Sequence, residues 1–139
     1  MDTLFLARPD QLAYMDDLTH PREAFVCLDC QEFHADIRAQ IWAALMDLLY
    51  EEGRTEEMFI DSFSDDGPAV WQLSDSLVLR LSRLDEEDIN DLCRLLPEYE
   101  LLEDAGIGED EVSDFLFPLA GLARNCLDEE DLKLYIHVR

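Results

Sequence analysis

"LKLYIHVR", residues 132–139, alternates in a way that no helix does. Leu132, Leu134, Ile136 and Val138 fall on one side, and Lys133, Tyr135, His137 and Arg139 on the other. A period of two is that of a β-strand. A terminal strand needs a neighbour, and "TLFLA", residues 3–7, reads as a second short strand at the opposite end of the chain. Pairing the two decides the fold class, because the stretches between them carry mostly helical signals.

"PDQLAYMDDL" (9–18) opens with a proline in a first turn, where its missing donor costs little. Leu12 and Met15 face inward, and Thr19-His20-Pro21 breaks the pattern, since a residue before proline is pushed out of the helical region. "AFVCL" (24–28) fits a short strand or the start of a helix, and periodicity does not separate the two in so short a run. From Gln31 to Glu52 the helical spacing is clear. Phe33, Ile37, Ile41, Leu45 and Leu48 form a stripe, with Trp42 and Ala44 beside it, Asp36, Gln40, Asp47 and Glu51 opposite, and Gly53 as a C-cap.

Residues 55–73 are the least regular. "SDDGP" (64–68) is a turn by composition, and "VWQL" (70–73) is a short strand or a segment pinned by Trp71. Ser74 caps a helix that aligns Leu77, Leu81 and Leu84. Asp85 starts another, which Pro97 ends. Glu98 to Ala105 adds a turn or two, closed by Gly106 and Gly108. Glu109 opens a further helix with Phe115, Leu119, Leu122 and Cys126 inward, and Pro118 is expected to kink or split it. "LDEEDI" (84–89) recurs as "LDEEDL" (127–132). Both read as helix starts, with Asp capping backbone N–H groups and acids favouring the positive end of the helix dipole.

The expectation is a mostly helical α+β fold: one domain over residues 1–139, with about five or six helices and a small sheet joining the N- and C-terminal strands.

Charge is the compositional outlier. Thirty-four Asp and Glu face ten Lys and Arg, a net charge of −24, while the apolar fraction of 48% is ordinary for a globular chain. Such a field repels phosphate backbones, so direct binding of nucleic acid or of an anionic membrane is not expected, and a basic protein surface is favoured. No apolar stretch is long enough to span a bilayer and no signal peptide is visible, which points to the cytoplasm and to reduced thiols.

The acid is uneven. Residues 85–131 hold 17 acids and two arginines, whereas residues 1–84 hold 17 acids and six arginines. The densest candidate surface comprises Glu98, Tyr99, Glu100, Glu103, Asp104, Glu109, Asp110, Glu111 and Asp114, with Tyr99 or Phe117 as exposed apolar anchors.

"CLDCQEFH" (27–34) offers a metal or thiol alternative. Cys27, Cys30 and His34 supply three zinc ligands, with His20, Cys93, Cys126 or His137 as a fourth, but there is no second clustered pair. If the chain is extended through Cys30, Cys27 and Cys30 point to opposite faces. A redox role for the C-x-x-C is opposed by Asp29 between the thiols. "DSFSDDG" (61–67) fails the calcium-loop register, because Leu73 falls where a bidentate Glu is needed. No nucleophile-elbow, P-loop or zincin motif occurs, so neither an enzyme nor a cofactor is expected.

The runs "DEEDINDLC" (85–93), "EYELLEDAGIGEDEVSD" (98–114) and "LDEEDLK" (127–133) give this chain a compositional character that resembles the immunity proteins of bacterial toxin systems. The resemblance implies a non-enzymatic inhibitor that binds a cognate basic effector, often a nuclease, and blocks its active site. It carries no individual site residues. A mimic of DNA, whose carboxylates imitate phosphates, is the alternative within the same class.

Overall fold

The two ends of the chain meet as the alternation requires. The computed structural model describes residues 2–16, 20–63, 65 and 67–138. Strand β1 (Thr3–Ala7) pairs antiparallel with β5 (Lys133–Val138), Leu4 opposite Ile136 and Leu6 opposite Leu134. The sheet they start is larger than two strands. β2 (Cys27–Asp29) adds to β1. A hairpin of β3 (Glu57–Ser62) and β4 (Ala69–Leu73) adds to β5, giving the antiparallel order β2-β1-β5-β4-β3.

The helices of the described residues are α1 (Pro9–Leu12), α2 (Ala35–Met46), α3 (Tyr50–Gly53), α4 (Asp75–Ser82), α5 (Glu86–Leu95), α6 (Glu100–Asp104) and α7 (Glu109–Asp128). The fold is therefore α+β and mostly helical. Four helices have eight or more residues, and α1, α3 and α6 are single turns.

Register explains which side chains meet. Leu4, Leu6, Leu134 and Ile136 share one face of the sheet and join the main core with α2, α4, α5 and α7. Phe33 stacks on Phe115 at 4.3 Å and locks the segment before α2 onto α7. The opposite face of the sheet is covered as well. Phe5, Ala7, Val70 and Tyr135 are buried there with Met15, Leu12 and Phe25 packed over them. The short cover made by α1 and the segment around a 3-10 turn at Pro21–Glu23 hides the second face of β1 and β5. Tyr135 and His137, on the side of β5 away from Leu134 and Ile136, are buried as well.

Several boundaries differ from the sequence reading. The helix expected over 31–52 is α2 followed by α3. Gln31 and Asp47 take left-handed conformations (φ 50° and 55°) that delay its start and end it early. Leu48 is half-buried, while Phe33, Ile37, Ile41 and Leu45 are buried as the stripe requires. Gly53 is no cap to that helix. It lies so close to α2 that a Cβ would stand 2.1 Å from the Ala39 carbonyl oxygen. α1 stops at Leu12, short of the ten residues expected; Asp17, Leu18 and Thr19 lie outside the described residues, as do Ser64 and Asp66 of the expected turn and Arg139 of the last strand.

Ser74 and Asp85 cap as expected, accepting from Leu77 N–H and Asp88 N–H. α7 is unbroken, so Pro118 does not split it. Pro118 is exposed, and the Asp114 carbonyl that loses its helical donor lies on the same wet side. The second "LDEED" run is not a helix start: Leu127 and Asp128 end α7, and Glu129–Leu132 form the turn into β5.

One side chain unites the elements. Arg38, on α2, has no exposed surface. Its Nε and Nη2 donate to the two Glu57 carboxylate oxygens (2.9 and 3.1 Å), and its Nη1 donates to Asp2 Oδ2 and to the Phe33 carbonyl (2.8 Å each). Trp42 Nε1 donates to Glu57 at 2.7 Å. Burying an ion costs several kcal/mol, and four hydrogen bonds from the five guanidinium N–H groups, three of them to carboxylates, offset that cost here. Removing one member leaves uncompensated charge. Arg38→Ala is expected to lower the unfolding free energy in urea by about 3–5 kcal/mol, and a loss below about 1 kcal/mol would show that the cluster does not organise the fold.

Candidate functional site

The acids collected from the sequence lie on three consecutive elements. Glu98 ends a 3-10 turn (Leu96–Glu98) that Pro97 shapes, α6 carries Glu100, Glu103 and Asp104, and the first two turns of α7 carry Glu109, Asp110, Glu111 and Asp114. Between the two helices Gly106 turns in the left-handed region (φ 71°) while Leu102 and Ile107 are buried and hold the connection down. Glu98, Glu100, Glu103, Asp104, Glu109, Asp110 and Asp114 are exposed, and Glu111 is half-buried.

Tyr99 is not an exposed anchor. It is half-buried and packs against the main core, because its backbone N-caps α6 and turns its ring inward. Phe117 is exposed, three residues beyond Asp114 on the helix, so Asp110, Asp114 and Phe117 form one outward stripe.

The same surface extends to a segment that the sequence reading had treated separately. Asp29 and Glu32 line a cleft of about 170 Å³ together with Glu111, Asp114 and Phe115. The Phe33–Phe115 stack brings these elements together. "CLDCQEFH" therefore borders the acidic surface.

Among the described residues, no salt bridge joins an acid between 98 and 114 to a Lys or Arg. Arg8 pairs with Glu129, Arg22 with Asp29, Arg38 with Asp2 and Glu57, Arg54 with Asp36, Arg94 with Asp91 and Lys133 with Asp75. Arg80 and Arg124 donate to the backbone carbonyls of Leu45 and Leu84.

Helix energetics accounts for part of this acid. Glu109, Asp110 and Glu111 sit in the first turn of α7, where each gains about 0.3–1 kcal/mol from the helix dipole. Asp104 is the last residue of α6, where the same dipole disfavours it, and Asp114 lies beyond the first turn of α7. Those positions do not serve helix stability.

The structure separates the members of the C-x-x-C pair. Cys27, on β2, packs with the cluster of Phe5 and Tyr135, while Cys30 lies in the main core on the other side of the sheet. Both are free thiols, His34 is exposed at the N-cap of α2, and among the described residues no group of three or more His, Cys, Asp or Glu side chains is placed to hold a metal. Burial pushes Cys30 up to about 12, and pushes Cys126 up to about 11. Cys27 is also raised, by burial first and then by the Asp29 charge, and Cys93 is raised by burial. These shifts oppose thiolate chemistry. Asp29 itself is held below the usual carboxylate range, chiefly by the hydrogen bond from Arg22.

No family model, no curated protein and no solved structure matches this chain. No helix of the described residues is long and apolar enough to cross a membrane.

The thiol assignment has a direct check. At pH 8 Cys30 is expected to react with a thiol reagent at least about a thousandfold more slowly in the native protein than after denaturation. Mass mapping of the modified peptide measures this, and fast labelling of native Cys30 would contradict its burial.

Proposed function

We propose that this chain is a non-enzymatic acidic binding protein that neutralises a basic protein partner, in the manner of an immunity or inhibitor protein of a bacterial toxin or effector. The observation that carries the reading is the uncompensated acid between Glu98 and Asp114. Among the described residues, seven exposed carboxylates stand there without a salt bridge to Lys or Arg, and two of the site's acids occupy positions that do nothing for their own helices. General solubility is served by acid placed anywhere, whereas this acid is gathered beside an exposed aromatic ring and a shallow cleft.

The proposed mechanism is electrostatic capture followed by local packing. Opposed fields accelerate encounter and fix orientation, and Phe117 supplies apolar contact once water is displaced. Glu32 extends the field around the cleft, whereas Asp29 on the same wall is paired with Arg22. A basic effector whose active site binds phosphate presents the matching surface, and covering it excludes the substrate.

A basic toxin or nuclease encoded beside this chain is expected to co-purify with it on co-expression, with nanomolar affinity that falls as salt rises. Replacing Glu100, Glu103, Asp104 and Asp110 by Lys is expected to weaken the complex on the order of a hundredfold or more while leaving the circular dichroism spectrum unchanged. Calorimetry measures it, and equal affinity for the folded variant would overturn the acidic-face reading. Competition by duplex DNA for the partner distinguishes a cover over a nucleic-acid site from a cover elsewhere.

A further inference from the structure

The acidic face lies by the segment that follows β2. The opposite edge of the sheet has a different character. β3 is outermost and pairs on one side, with β4. Ser74 N–H donates to the Glu56 carbonyl at 2.8 Å, and the register continues through Glu57 opposite Leu73 and Phe59 opposite Trp71. In an antiparallel ladder the hydrogen-bonded pairs alternate, so Glu57 and Phe59 turn their backbone groups away from β4. The Glu57 N–H is used by the Arg54 carbonyl, and the Ser62 N–H by Asp61 Oδ1 at 2.8 Å. The Glu57 carbonyl and both backbone groups of Phe59 are left facing outward at the edge.

Three consecutive side chains at this edge are apolar and exposed: Met58 at 41%, Phe59 at 56% and Ile60 at 43%. Sheet edges are usually blunted by charge, proline or a bulge. Here the bulge between Phe59 and Asp61 closes the edge toward its C-terminal end and leaves the Glu57–Phe59 portion open. Grooves flank it on both faces. Phe59 meets Trp71 edge-on at 5.3 Å beside a cleft of about 230 Å³ that reaches Ala39 and Val138. On the other face Ile60, Phe63 and Leu12 border a groove of about 360 Å³. An added strand sends alternate side chains to the two faces, where these grooves lie.

Charge selects the occupant. Residues 51–66 hold seven acids and one arginine, and that arginine, Arg54, is paired with Asp36. A second copy of the chain brings another −24, which opposes self-pairing at this edge. We propose that β3 accepts an extended, basic segment of a partner protein as a sixth strand, bonded through Glu57 and Phe59 and seated on Met58, Phe59 and Ile60. This surface is separate from the acidic face, and its assignment stands without that reading.

The probe is an octapeptide of alternating lysine and valine, compared with the same peptide N-methylated at every second residue. The unmodified peptide is expected to bind the full chain, to slow hydrogen exchange at the Phe59 amide, and to bind at least about tenfold more tightly than the N-methylated form, which keeps the charge and loses the backbone donors. Phe59→Lys, at an exposed position, is expected to weaken binding of the unmodified peptide. Equal binding of the two peptides would reduce the effect to charge attraction and overturn the proposal. So would absence of binding, or a Phe59 amide already protected in a dimer without peptide, which would make the second copy the occupant.

Discussion

A guanidinium stays charged inside a protein and is tolerated there only where carboxylates and carbonyls replace its lost water, and the placement of Arg38 imposes that condition on this fold. Its partners come from three separate parts of the chain: Asp2 before β1, the Phe33 carbonyl before α2, and Glu57 at the start of β3. Trp42, one turn further along α2, donates to the same Glu57 carboxylate. The cluster thus ties the N-terminus, the central helix and the edge hairpin to one point. An apolar side chain there could pack, but it would not specify which strand meets which helix.

The same commitment shapes the surface. With ten cations against thirty-four acids, each Arg or Lys used in the fold is unavailable elsewhere. Arg38 is buried with two acids, Arg22 holds Asp29 against the start of the 3-10 turn, and Arg124 reaches back to the Leu84 carbonyl. The region from Glu98 to Asp114 receives none of the described ion pairs. The fold offers two surfaces of different physics, a charged face beside the β2 segment and an apolar, acid-flanked edge at β3.

Periodicity made much of the helical layer legible. Leu77, Leu81 and Leu84 are buried because their spacing matches a helix face, and Ser74 and Asp85 cap because a short polar side chain at those points can reach the free N–H groups. The end strands were legible for the same kind of reason. Arg38 was not, since a lone Arg in a helix ordinarily faces water, and α2 is buried on nearly all sides. The β3–β4 hairpin was obscured because β3 is an exposed edge, with Met58, Phe59 and Ile60 running together where alternation would separate them. The two "LDEED" runs show the limit of local reading: one starts α5, the other ends α7, and tertiary packing of Leu122 and Ala123 against the core makes the difference. The acids of the candidate face were legible as residues. Their contiguity with Asp29 and Glu32 was not, because it depends on the Phe33–Phe115 stack, a contact between positions far apart in sequence.

The central claim is that the uncompensated acid between Glu98 and Asp114 is a docking surface for a basic protein. Hydrogen–deuterium exchange of the chain, alone and in complex with its basic partner, tests it most directly. The account predicts added protection in α6, in the first turns of α7 and in the 29–32 segment. Protection confined to other surfaces, with 98–114 exchanging as in the free chain, would contradict it.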